Sequence, residues 1–298
     1  MGAKNNMLKK LLRKWFSYLP LSDRHFNEVM YLRYFHQPLH LEPPTTFNEK
    51  IQWLKLFGSN AIYSSLVDKY AVREYVASRI GSQYLNELYG VFNSELDIDF
   101  DALPQRFVLK ATHGSGWNIL CRDKSQFDVA DARKQLRKWL GTNFYRASRE
   151  PNYKNIPPRI ICERFLEDEE KKSLLDYKFF CFHGHVQFVQ VDFDRFVNHT
   201  RDMYDRNWVL CPFTFLYPNN ALKMKRPQNF ETMIEIAEAL AGEMPFVRVD
   251  LYNVTSMILF GELTFTPESG FGTFKPAEWD YKLGTYLQLP NYKKTNGQ

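Results

Sequence analysis

From Phe246 to Pro267 the chain reads FVRVDLYNVTSMILFGELTFTP, two period-two runs around a loop. Alternating apolar and polar residues mark a strand with one buried face, and two such runs so close together pair antiparallel. Their polar members are unusual. Arg248 and Asp250 share one face of the first run; Glu262, Thr264 and Thr266 share one face of the second, opposite Leu263 and Phe265. Pairing sets Asp250 beside Glu262 in an otherwise apolar sheet. Neighbouring carboxylates repel unless a cation bridges them, and Mg2+ takes one or two carboxylates together with phosphate oxygens. An Arg248–Glu262 or Arg248–Asp250 ion pair with no ligand satisfies the same pattern.

The period-two pattern begins at Arg106. RFVLKAT and WNILCR read as strands joined by HGSG, so Lys110 sits on a strand that enters the turn Gly114-Ser115-Gly116. Such a turn offers backbone N–H groups to a phosphate. It is not a P-loop, because no Gly-Lys pair occurs in the chain. Nor is it the dinucleotide fingerprint, because Ile119 takes the third small position and a strand follows. What remains is strand, flexible turn, strand: a hairpin able to fold over phosphates, or simply a hairpin.

Other segments complete the frame. PRIICERFL reads as a buried strand, DYKFFCFHGHVQFVQVDFD as a hairpin turning at His183–Gly184, and RDMYDRNWVL as a further strand pair. In EPPTTFNEKIQWLKLF a helix starts at a cap on Thr45 or Thr46, with Glu49 about three residues on. SLVDKYAVREYVASRIG predicts one amphipathic helix ended by Gly81. Asp128 caps a helix through VADARKQLRKWLGTNFY, and NFETMIEIAEALAG is a helix between Asn229 and Gly242. No repeat or low-complexity stretch occurs. The class is α+β with mainly antiparallel sheets. We expect a helical region over 1–66, a first lobe over 67–166 and a second over 167–298.

Charge and cysteines narrow the function classes. Lys plus Arg total 39 against 34 Asp plus Glu, a net +5 that suits anionic ligands or a membrane surface but is too weak to argue for nucleic acid. Cys121, Cys162, Cys181 and Cys211 are singletons, which fits neither a disulfide framework nor a zinc site and points to a reducing compartment. No apolar run approaches the roughly 20 residues of a membrane span, and no signal peptide is visible, so the expected location is cytoplasmic. Residues 5–19, NNMLKKLLRKWFSYL, form a basic amphipathic pattern that suits an anionic inner membrane face or docking on the protein itself.

Taken together, FNEKIQWLK, VDKYAVREYV, FVLKATHGSGWNI, IICERFL, DYKFFCFHG, FVRVDLY and GELTFTPESGFG resemble, in order, the teichuronopeptide-biosynthesis (TupA-like) group of the ATP-grasp superfamily. The resemblance covers roughly residues 45 to 275. It implies an ATP-grasp fold of two α+β lobes clamping ATP. Lys69 and Lys110 resemble the two phosphate lysines, with His113, Gly114, Ser115 and Gly116 as the lid turn. Glu163 falls where the family hydrogen-bonds adenine, with Phe165 and Leu166 as hinge contacts. Asp176 falls where it meets the ribose or a lysine, and Lys178 points toward the phosphates. Arg248 resembles the catalytic arginine, and Asp250 and Glu262 the magnesium carboxylates. The family's ending is Glu-x-Asn, whereas here Thr264 stands in the Asn position, so Glu268 or water would complete the metal shell. Trp117 replaces a small residue after the lid turn and either stacks on ligand or covers the lid.

The implied chemistry is an ATP- and Mg2+-dependent carboxylate–amine ligase joining an amino acid or other amine donor to a uronic-acid glycan, on a lipid-linked carrier or free. Other readings stand beside it. Asp192-x-Asp194 after an apolar strand is the arrangement of a metal-dependent glycosyltransferase, although no upstream βαβ unit accompanies it. A glycan kinase or a non-catalytic ATP-binding module keeps the fold. His183 and His185 flank a turn without metal-ligand spacing. His199, between Arg195 and Arg201, suits an anionic acceptor or a solvated loop.

Overall fold

The computed structural model describes residues 20–58, 61–167, 174–193, 199–254 and 257–290. The basic amphipathic segment 5–19, Asp194 and Arg195 lie outside them. Two antiparallel sheets organise the chain. The first has the order β1-β4-β2-β3, from Leu88–Phe92, Ile160–Arg164, Phe107–Ala111 and Asn118–Cys121. The second has the order β10-β9-β5-β6-β7, from Met257–Thr264, Phe246–Val254, Asp176–Phe182, His185–Phe193 and Thr200–Asp205. A separate two-stranded pair, β8 (Thr214–Phe215) with β11 (Phe274–Lys275), packs against the phenylalanines of the second sheet.

The first sheet buries Phe107, Leu109 and Ala111 with Ile160 and Cys162 against helix α5 (Val129–Leu140), through Ala132, Leu136 and Trp139. As expected, Asp128 caps α5, accepting from the Asp131 amide. Alternation turns Val108, Lys110, Ile161 and Glu163 to the opposite face, with Lys110 paired to Ile161 and Val108 to Glu163.

The second sheet is covered on one face by helix α7 (Phe230–Ala241) and helix α4 (Val72–Ile80), which pack on Tyr177, Phe179, Val189, Val191, Val247, Val249 and Leu251. The other face changes character along each strand. In β5 it runs Asp176, Lys178, Phe180, Phe182; in β6, Asp192, Gln190, Phe188; in β9, Asp250, Arg248, Phe246. The phenylalanine end packs under helices α2 (Phe47–Phe57) and α8 (Glu278–Tyr286) through Phe47 and Leu283. Among the described residues the polar end has no such cover, and this division places the site.

Local rules explain most boundaries. Thr46 is the cap of α2, with Glu49 completing a capping box. The expected single helix through 65–81 is instead two, α3 (Ala61–Val67) and α4, after helix α1 (Asp23–Phe35) and α2. Asp68 breaks it by accepting from the Tyr70 and Ala71 amides at 2.8 and 3.2 Å, while Arg159 holds its other oxygen at 2.6 Å. Helical periodicity survives such a break, so the sequence hid it. RDMYDRNWVL likewise forms only β7 and one bridge, Tyr204 to Leu210, because Asp205 folds the next residues into a turn. The helix expected from Asp128 through Tyr145 ends at Leu140, before Gly141, and a short α6 (Tyr145–Ser148) follows.

Candidate active site

Between the polar end of the second sheet and the Lys110–Glu163 face of the first lies a cavity of about 170 Å3. Lys69, Arg73, Lys110 and Lys178 line it together with Glu163, Asp176, Asp250 and Glu262, and Ser115 and Gly116 close one side. The break at Asp68 is what delivers Lys69 here. Its ammonium donates to the Gly114 carbonyl at 2.6 Å, tying the turn to the second helix pair. Burial pushes the Lys69 ammonium down, opposed by the charge of Glu262.

Lys110 donates to Glu163 at 2.6 Å, and Arg73 grips the other Glu163 oxygen at 3.0 Å while donating to the Asn86 carbonyl at 2.9 Å. On the facing sheet Lys178 bridges Asp176 and Asp250, the latter at 2.6 Å. Arg248 is bidentate on Asp250, at 2.7 Å from each oxygen, and reaches Thr264 at 3.1 Å and Glu262 at 3.4 Å. The register pairs Glu262 with Asp250 across a bulge at Gly261, as the alternation requires. The two carboxylates are therefore reconciled by Arg248 and Lys178 within the protein itself. Thr264 donates to Glu262 at 3.3 Å while accepting from Arg248.

Burial raises the Glu262 carboxyl, but Lys69, Arg248 and Lys178 outweigh it and hold the group below its ordinary value of 4.5. A depressed carboxyl contributes stability that is present above the unfolded value and is lost as pH falls through the folded one. Urea midpoints of wild type and Glu262→Gln are thus expected to converge as pH drops below 4.5. A gap that widens on acidification contradicts the arrangement.

Not every expected residue reaches the cavity. His113 is 2% exposed, and its ring lies 2.9 Å from the Trp139 carbonyl, within the α5 core. Phe165 packs between the guanidinium groups of Arg106 and Arg122, at 4.6 and 5.1 Å, and neither it nor Leu166 lines the space. Trp117 stacks parallel on Trp139 at 6.1 Å and meets His113 and Phe144 edge-on, so it packs the lid instead of facing the cavity. That packing explains Gly114, where a Cβ would lie 2.5 Å from the indole, whereas Gly116 is required by its φ of +71°. Gly114→Ala is expected to cost about 1–3 kcal/mol by overpacking and to shift tryptophan emission. Unchanged emission and thermal midpoint refute that packing. Sequence reasoning missed Arg73, Asn86, Tyr252 and Phe260, all on the cavity wall. Arg73 stood in a quoted motif, but its partner Glu163 is 90 positions away.

The family model for TupA-like ATP-grasp proteins matches residues 49–288. The chain belongs to the TupA-like ATP-grasp family. Among curated proteins no sequence matches it significantly. Solved structures similar to this TupA-like protein include D-alanine–D-alanine ligase from Bacillus anthracis, at 14% identity and TM-score 0.40, over 71% of this chain and 62% of that one. Another is purK, N5-carboxyaminoimidazole ribonucleotide synthetase, as an ADP complex, at 14% and 0.40 over 73% and 50%. A third is the ATP-grasp ligase PsnB complexed with a phosphomimetic variant of minimal precursor, Mg and ADP, at 10% and 0.42 over 96% and 73%. The TupA-like chain thus spans 62% and 50% of the first two relatives' lengths. Among its described residues no helix is long and apolar enough to cross a membrane.

Proposed function

We propose that the chain is an ATP-dependent carboxylate–amine ligase that activates a carboxylate as an acyl phosphate and transfers it to an amine. One observation carries this reading: a single cavity in which Lys69, Lys110 and Lys178 converge with Asp250 and Glu262 beneath a Gly-Ser-Gly turn. Lys69 and Lys110 would hold the ATP phosphates, with the Ser115 and Gly116 amides closing over them. Lys110 must leave Glu163 to do so, and Arg73 then retains that carboxylate. Asn86 and Tyr252 widen the wall available to the nucleoside. His113 fixes the turn from its core side, and Asp176 orients Lys178.

The donor set fits Mg2+. Four of the lining residues are cations and four are carboxylates, with Arg248 a fifth cation on Asp250, so a bound polyphosphate still calls for added positive charge, and Asp250 and Glu262 offer only hard oxygen ligands. Among the described residues no group of three or more His, Cys, Asp or Glu side chains is placed to hold a metal, so phosphate oxygens and water would have to complete the shell of an ion there. Asp250 and Glu262 would hold it, with Thr264 setting the Glu262 side chain or joining as a weaker ligand. Bound there, Mg2+ would neutralise charge on the transferring phosphoryl group. Arg248 and Lys178 act on the same charge from the sheet, fixed in place before reaction, which is how preorganised groups lower a barrier.

We assign the carboxylate and amine partners to an amino acid or peptide and a uronic-acid-containing surface polysaccharide or its precursor. Association of residues 5–19 with an anionic inner membrane face would bring the chain to a lipid-linked acceptor. The test incubates the full chain with Mg-ATP, amino acids, glucuronate and galacturonate, and hydroxylamine as trap. ADP release together with hydroxamate supports the ligase; ADP release with phosphorylated sugar and no hydroxamate supports a kinase. Hydroxamate formation undiminished in both Lys110→Ala and Glu262→Ala would refute the site.

A further inference from the structure

The polar row on the second sheet does not stop at the cavity. Asp176, on the cavity wall, is the cross-strand partner of Asp192 in β6, and Asp192 pairs in turn with Arg201 in β7. Around Asp192 a second cluster forms. Its Oδ1 accepts from Arg201 Nε at 2.6 Å and meets His199 Nε2 at 3.0 Å, while Oδ2 accepts from Gln190 Nε2 at 2.9 Å. Arg201 also donates to Glu268 at 3.1 Å, and the His199 ring lies 3.7 Å from that of Tyr217.

Two observations make this more than a structural ion pair. Gln190 is 0% exposed, its amide is oriented by Asp192, and its Oε1 has no hydrogen-bond partner among the described residues. A buried orphan acceptor costs about 1–3 kcal/mol, which a donor-rich ligand would relieve. Glu268 and Ser269 both hold left-handed φ values, 51° and 58°, without being glycine. Gln52 and Lys55 of α2 clamp the Ser269 carbonyl at 3.0 and 3.3 Å to keep them so. Backbone held in such conformations concentrates where a side chain must be presented accurately.

We propose that this cluster is the subsite for the amine substrate, resting on the ligase reading above, with Glu268 receiving the ammonium and His199 acting as general base. The carboxylate of Asp192 only accepts, so the neutral form of His199 carries its proton on Nε2 and has its lone pair on Nδ1. The ammonium gives one proton to Nδ1, and Asp192 stabilises the resulting imidazolium. The amine lone pair forms the C–N bond to the acyl carbon, the C–O bond to phosphate breaks, and the second N–H proton leaves with the phosphate. Among the described residues the groups facing His199 are Asp192 from β6, Arg201 from β7, Tyr217 from the following loop, and Glu268 beyond Arg201.

Two-dimensional 1H–15N spectra of histidine-labelled full chain, with His199 identified by its loss in His199→Gln, are expected to show the Nε2–H tautomer. The Nδ1–H tautomer overturns the assignment whether or not turnover is found. Turnover with glycine, L-alanine, L-glutamate and L-lysine is then compared with hydroxylamine, which is already unprotonated at neutral pH. His199→Gln is expected to lower the ratio of amine to hydroxylamine turnover about 10²–10⁴-fold. The ratio should recover about tenfold per pH unit as free amine accumulates. Glu268→Gln should raise KM for the amine at least about tenfold, with a smaller change in kcat, if one charge-assisted contact is lost. Unchanged ratios and KM with hydroxamate still formed overturn this inference alone. No hydroxamate from wild type with any carboxylate overturns the ligase reading and this inference together.

Discussion

Replacing Asp250 with alanine is expected to abolish turnover and to destabilise the apo fold by about 3–5 kcal/mol. Asp250 is 2% exposed and is the shared partner of two cations, Arg248 and Lys178, which are themselves 7% and 2% exposed. Removing it leaves Arg248 with Thr264 and a 3.4 Å contact to Glu262, and Lys178 with Asp176. Breaking a buried ion pair from one side costs far more than the pair contributes, because the remaining charge stays desolvated. Urea unfolding reads the stability directly, and ADP release reads the chemistry. A loss below about 1 kcal/mol would mean that water reaches this end of the sheet and that the pairing is not a buried one.

Lys110→Ala is expected to show the opposite balance. Turnover should fall about 10²–10³-fold, the scale of losing one preorganised group at a developing charge. Stability should change little, because Glu163 keeps Arg73 at 3.0 Å and Lys110 itself is only partly buried. Calorimetric titration with ADP is expected to show weaker binding in the same variant. A variant that unfolds early yet binds ADP normally would make Lys110 a structural strut and Glu163 its only purpose. The pair of variants therefore separates a role of the sheet's charge in stability from the role proposed for the hairpin's charge in nucleotide binding.

Much of this arrangement is legible in the sequence, and the reason is periodicity. Alternation is a local property of an extended chain, so FVRVDLY and GELTFT assign Arg248, Asp250, Glu262 and Thr264 to one face without any tertiary information. The short loop between the strands then fixes their pairing, and Asp250 does oppose Glu262. The strand–turn–strand around His113 to Gly116 is visible for the same reason, as is the capping box of Thr46 and Glu49. DYKFFCF even displays the change from charged to aromatic that divides the β5 face.

Only the tertiary structure decided which of these residues meet. His113 and Trp117 sit in a glycine turn, yet α5 offers Trp139 and draws them into its core, away from the cavity. Lys69 reaches the site because Asp68 interrupts a helical pattern with a side-chain cap, and Arg159 secures that cap from 91 positions away. Arg73 joins through Glu163, and the Asp192 cluster through Glu268, 67 positions from its Arg201 partner. Such contacts leave no trace in local alternation, because they are fixed by how sheets and helices stack and not by where each side chain points. The sequence by itself determined which face each group occupies; packing determined which faces look at one another.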